Sequence, residues 1–72
     1  MMSITFTIER EEMGGYVAFW DDPRGGGITT QGETLVDLQA NILDATRCHF
    51  SNEHLPKKVL LRFVEDVVLE PA

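Results

Sequence analysis

Cysteine is nearly absent from this chain: Cys48 stands alone among 72 residues, so no disulfide within the protein can staple its fold. Positive charge is scarce as well. Six Lys and Arg against twelve Asp and Glu leave a net charge of −6. Generic nucleic-acid binding draws its affinity from releasing counterions condensed on phosphates, and this balance serves it poorly. The same charge suits attraction to a basic partner, and it also keeps a small protein soluble. Long apolar runs are missing too. The longest, Tyr16 to Trp20, falls far short of the roughly 20 residues that cross a bilayer as a helix. The opening Met1-Met2-Ser3-Ile4 has neither a basic n-region nor an apolar h-region, so no secretory signal is read there and a cytoplasmic location is expected.

What is present points to one domain, residues 1–72. A chain of this size buries only about 60% of its unfolded surface, so its core is a single thin layer. Such cores are commonly completed by association. A homo-oligomer, in its simplest form a dimer, is therefore expected from size alone.

Ile4, Phe6 and Ile8 alternate with Thr5, Thr7 and Glu9, the pattern of a half-buried strand. Glu11 to Gly15 is a turn. Tyr16 to Trp20 is apolar on both faces, which places it inside a sheet rather than on its edge. Asp21 to Gly27 is a loop, and Ile28 to Gln31 a short third strand ending at Gly32. Then the period changes. Thr34 is a good N-cap with Asp37 three residues on, and Leu35, Leu38, Ile42, Ala45 and His49 fall on one helical stripe, widened by Leu43 and Phe50. The helix ends before Pro56. Lys58 to Val64 is a last strand, with Val59, Leu61 and Phe63 on one face and Leu60, Arg62 and Val64 on the other; the Lys57-Lys58 pair guards an edge. The tail keeps Val67-Val68-Leu69 between acids, so it is expected to be ordered against something.

A helical crossover makes the last strand parallel to the first. The expected fold is therefore α+β: β-β-β-α-β, mainly antiparallel, strand order 3-2-1-4, with one face covered by a single helix. The other face then has nothing of its own to cover it. It carries Thr5 and Thr7 together with either Tyr16, Ala18 and Trp20 or Val17 and Phe19, because a strand apolar on both sides leaves its phase open. The first set, joined by Leu60, Arg62 and Val64, is the candidate interaction surface.

Reactive groups are few. Cys48-His49 and His54 lack the spacing of a zinc site and a second cysteine, and His49 and Arg47 fit the last turn of a helix, where the backbone dipole favours cations. Asp21-Asp22 before Pro23 reads as a turn former. Gly25-Gly26-Gly27 precedes a strand, not a helix N-terminus, and lacks the Lys of a nucleotide loop. No catalytic, cofactor or metal residue is assigned. The alternative is a small-molecule or metal-dependent enzyme using the Cys48-His49 and Asp21-Asp22 regions.

Phe6 to Ala18, with its acidic turn and Gly14-Gly15-Tyr16, resembles the first hairpin of the HicB-like family. Gln31-Gly32-Glu33-Thr34-Leu35 is similar to that family's helix entry. Asp44 to Phe50 and Leu61-Arg62-Phe63-Val64 resemble a stand-alone subgroup of short members without the C-terminal DNA-binding module. The resemblance implies a fold similar to part of a ribonuclease H domain, without its magnesium-binding carboxylates. It also implies an antitoxin-like, non-catalytic interaction domain that neutralises a small basic mRNA-cleaving toxin of HicA type. Nothing after the last strand resembles a helix-turn-helix or ribbon-helix-helix, so direct DNA binding is not expected. The family's usual Pro-flanked loop is replaced here by Asp21 to Gly27.

Overall fold

A computed structural model describes residues 3–64 together with 69 and 71. In chain order it contains β1 (Ser3–Arg10), β2 (Tyr16–Asp21), β3 (Gly27–Gly32), α1 (Leu35–His49), a single 3-10 turn (Asn52–His54) and β4 (Lys58–Phe63). The strands form one sheet in the order β3-β2-β1-β4. β1 and β2 are antiparallel, as are β2 and β3, while β4 runs parallel to β1. Order, directions and the internal place of β2 agree with the sequence pattern. The expected contacts of the tail at Val67-Val68 lie outside the described residues; Leu69 is exposed.

The loop between β2 and β3 is tighter than its composition implies. Asp21 and Gly27 are themselves paired, and the turn between them closes through Asp22 N–H to Gly26 O at 3.0 Å and Gly25 N–H to Asp22 O at 2.9 Å. Gly25 and Gly26 take φ of 109° and 75°, angles that would strain a side chain-bearing residue.

α1 begins as its residues dictate. Thr34 has extended backbone and its Oγ1 accepts the Asp37 N–H at 3.1 Å, satisfying one of the donors that every helix start leaves free. Arg47 and His49 occupy the last turn, where positive charge meets the negative end of the helix. The buried stripe is Leu38, Ile42, Thr46 and Phe50, a row at i+4 spacing. Leu35 and Leu43, expected within the stripe, are exposed instead. The cause is the helix's position. Asn41 Nδ2 donates to Gln31 O at 2.7 Å, tying one flank of α1 to β3. Leu43, two residues on and so about 200° around the helix from Asn41, falls on the opposite flank, away from β3. Thr46 is buried without penalty because its hydroxyl donates to Ile42 O at 2.7 Å, one turn back.

Under the helix lie Ile4, Phe6 and Ile8 of β1, Ala18 of β2 and Ile28 of β3, with Tyr16, Trp20, Val59 and Leu61 partly buried around them. Residues directly opposed in a sheet share a face, and Ile8 pairs with Ala18. That register corrects the candidate surface: Tyr16, Ala18 and Trp20 face the helix, not the open side. Ala18 sits at the centre of β2 and is fully buried; a small residue there lets the helix approach closely.

Candidate functional site

The open face of the sheet follows from the same registers. Thr5, Thr7, Val17 and Phe19 occupy its middle, half-buried by one another. Phe19 stands opposite Thr7, which stands opposite Arg62, and Thr5 stands opposite Leu60. Leu60 and Arg62 of the expected surface are thus on this face and exposed. Val64 lies just past β4; its N–H donates to Ile8 O at 2.9 Å, continuing the ladder by one bond. Glu9, Asp21, Thr29, Gln31 and Lys58 form a polar rim. The result is a small patch in which Val17 and Phe19 of β2 and Leu60 of β4 flank Thr5 and Thr7, inside a rim of both charge signs, with no second layer over it among the described residues.

The second feature joins two regions that are far apart in sequence. Asp22, at the β2–β3 turn, accepts a hydrogen bond from His49 Nε2 at 3.0 Å. Its other oxygen accepts the Arg24 N–H at 2.9 Å and has the Arg24 guanidinium 3.6 Å away. The Asp22 side chain is 7% exposed and that of His49 26%. Trp20 packs against the His49 ring edge-on at 5.6 Å, and Phe50 meets both rings. The His49 hydrogen bond is the chief reason that the Asp22 carboxyl is held below its usual value. The Arg24 N–H adds to that, and burial opposes it.

This pair unites one residue from each region of the alternative enzymatic reading, but not the rest of them. Cys48 is exposed and free, Asp21 is exposed, and His54 is taken by Ser51, with Oγ 2.8 Å from Nδ1. Both carboxylate oxygens of Asp22 are engaged. Among the described residues no three His, Cys, Asp or Glu side chains come together as a metal site. The arrangement is a clasp between the helix C-terminus and the β2–β3 turn.

Its pH dependence follows from the direction of the shift. A carboxyl depressed in the folded state stabilises the fold above its unfolded value near ~3.9, and that stabilisation is lost as pH falls through the lower folded value. Asp22→Asn is therefore expected to lower the urea midpoint at neutral pH, with the gap to wild type closing below about pH 4. A gap of the same size in acid would show that the carboxylate charge is not the source.

Among the described residues no helix is long and apolar enough to cross a membrane. No family model matches the chain, and no solved structure matches it. A UPF0150 protein of Thermotoga maritima is 41% identical over 66 residues, which is 92% of this chain and 89% of the relative. Identity at that level across nearly the whole of both chains establishes kinship, and the chain belongs to the UPF0150 family.

Proposed function

We propose that this is a non-catalytic, cytoplasmic protein-interaction domain of HicB type, which self-associates and binds a basic protein, a small mRNA-cleaving toxin of HicA type being the expected partner. The observation that carries the reading is the one-sided sheet. Val17 and Phe19 on one side of Thr5 and Thr7, and Leu60 on the other, form a patch that no element of the described chain covers, and a polar rim surrounds it, the usual anatomy of a recognition patch. The net charge of −6 supports a basic partner, since complementary charge speeds encounter and disfavours acidic competitors. Motifs at the first hairpin, at the helix entry and in β4 support the HicB-type assignment.

The test is co-expression with a short basic protein of HicA type, one encoded beside this chain if there is one, followed by affinity capture and a growth assay. Wild type is expected to bind and to restore growth. Leu60→Asp and Phe19→Asp, folded by circular dichroism, are each expected to weaken binding about 30-fold or more, the loss of an apolar anchor worth at least ~2 kcal/mol. Raising the salt should weaken wild-type binding too. A basic neighbour that neither binds nor loses toxicity would remove the antitoxin reading. Unchanged affinity in both variants would move the contact off this face.

A further inference from the structure

The sheet has two edges, and they are not alike. At the β3 edge the helix that follows caps one outward carbonyl, Gln31 O, through Asn41 Nδ2. Among the described residues nothing pairs with the outer side of β4. Because the Val64 N–H bonds to Ile8 O in a parallel pair of known register, Lys58, Leu60 and Arg62 turn their backbone groups inward to β1. The N–H and C=O of Val59, Leu61 and Phe63 point outward, and no strand among the described residues meets them. The helix side of this edge is apolar and poorly roofed. Phe63 is 50% exposed, and Leu35 and Leu43 are exposed on the flank of α1 that faces it. Leu35, Ile8 and Tyr16 line one depression with Phe63 and Val64. An unpaired strand beside uncovered apolar side chains is a template for another strand, and the Lys57-Lys58 guard stands only at the start of this one.

We infer that β4 pairs with β4 of a second copy, antiparallel, with Leu61 opposite Leu61 of the partner subunit. This deepens the self-association stated above and rests on that reading alone, not on the toxin. The register follows from two constraints. Hydrogen-bonded pairs must bring together residues whose backbone groups both point outward, so only registers pairing 59, 61 and 63 among themselves are open. Charge then selects among those that overlap most of the six-residue strand, since centring on Val59 or Phe63 would pair no more than three of its residues. Centring on Leu60 would set Lys58 against Arg62 of the partner subunit, and centring on Arg62 would set two arginines face to face; like charges directly opposite are unfavourable. Centring on Leu61 sets Arg62 against Leu60 of the partner subunit and Lys58 against Val64 of the partner subunit. It also sets Val59 against Phe63 of the partner subunit, so the helix side of the seam becomes a continuous apolar ladder.

The product is one eight-stranded sheet with a two-fold axis through its middle. Both helices lie on the same side, their Leu35 and Leu43 flanks turned toward a shared trough filled by Val59, Leu61 and Phe63 of each subunit. The open face stays free for a different partner. The same residues meet themselves across the axis, as an isologous contact requires.

The experiment combines light scattering over a range of concentrations with disulfide trapping in a Cys48→Ser background. Leu61→Cys is expected to give a covalent dimer on mild oxidation, since opposed Cα atoms of a hydrogen-bonded pair stand about 5.5 Å apart, within disulfide reach. Leu60→Cys is expected to stay uncrosslinked, its own copy lying two residues away across the seam. Should Leu61→Cys fail to fold, Val59→Cys with Phe63→Cys tests the same register. A dimer by scattering that is trapped at position 60, or at neither site, overturns the β4 pairing and leaves self-association standing by another surface. A monomer at every concentration overturns both, and leaves the basic-partner reading to its own test.

Discussion

Phe6→Ala is expected to leave most of the protein unfolded at 37 °C. Phe6 lies in the middle of β1, itself flanked by β2 and β4, and is fully buried. It stands opposite Leu61 in a core whose fully buried large side chains, among the described residues, are Phe6, Ile8, Leu38 and Ile42. Removing a phenylalanine ring from such a site costs about 3–5 kcal/mol in lost transfer energy and residual cavity. Domains of this length seldom hold more than about 3–5 kcal/mol of net stability from their core alone, so one substitution matches the whole reserve. Urea titration followed by far-ultraviolet circular dichroism is the measurement, and the variant's midpoint should approach zero denaturant. If the protein is a dimer, association stabilises the fold by mass action, and raising the protein concentration should recover part of the lost signal. A variant with a wild-type midpoint would mean that the ring is not packed as described.

The strand order and the parallel return of β4 were legible in the sequence because each rests on a local signal: alternation in Ile4 to Ile8, the glycine-rich turns, the Thr34 cap, and the one crossover that a helix permits. The phase of β2 was not. Tyr16-Val17-Ala18-Phe19-Trp20 is apolar at both parities, so a period of two has nothing to choose between, and only the pairing Ile8 with Ala18 tells the core face from the open one. The small side chain of Ala18 was a hint, since the residue beneath a closely packed helix must leave room for it. The Asp22–His49 clasp was hidden for a different reason. Each residue had an adequate local role, Asp22 as a turn former and His49 as a cation at a helix end, and nothing in a linear pattern reports that the tight β2–β3 turn places the two 3.0 Å apart. Burial of Thr46 was masked likewise, because its back-bond to Ile42 O makes a polar residue behave as an apolar one. Val17 and Phe19 therefore entered the candidate site through geometry, as Tyr16, Ala18 and Trp20 left it.

Gly32→Ala is the second substitution expected to have a large effect, although it adds only a methyl group. Gly32 ends β3 where the chain turns into α1, and a Cβ built there would stand 2.5 Å from Leu38 N and 2.7 Å from Leu38 Cα. These are backbone atoms of the first helical turns, so no side-chain rotation can relieve the contact. The helix would have to lift. Lifting it disturbs Leu38, which is fully buried, and strains the Asn41 link to Gln31 that seats the helix over β3. Overpacking of this kind typically costs about 1–3 kcal/mol, and the rigidity of the clash puts the expected loss near the top of that range. Gly14→Ala is the matched control. Its φ of 100° is unfavourable for alanine, but its Cβ would meet nothing within 4 Å, so its cost comes from the backbone alone, about 1–2 kcal/mol. Urea unfolding should rank the two, with Gly32→Ala the less stable. Hydrogen exchange should locate the cause, because the Leu38 amide, bonded to Thr34 O at 2.9 Å, should lose protection in Gly32→Ala and keep it in Gly14→Ala. Equal protection in both would place the helix farther from β3 than these contacts allow.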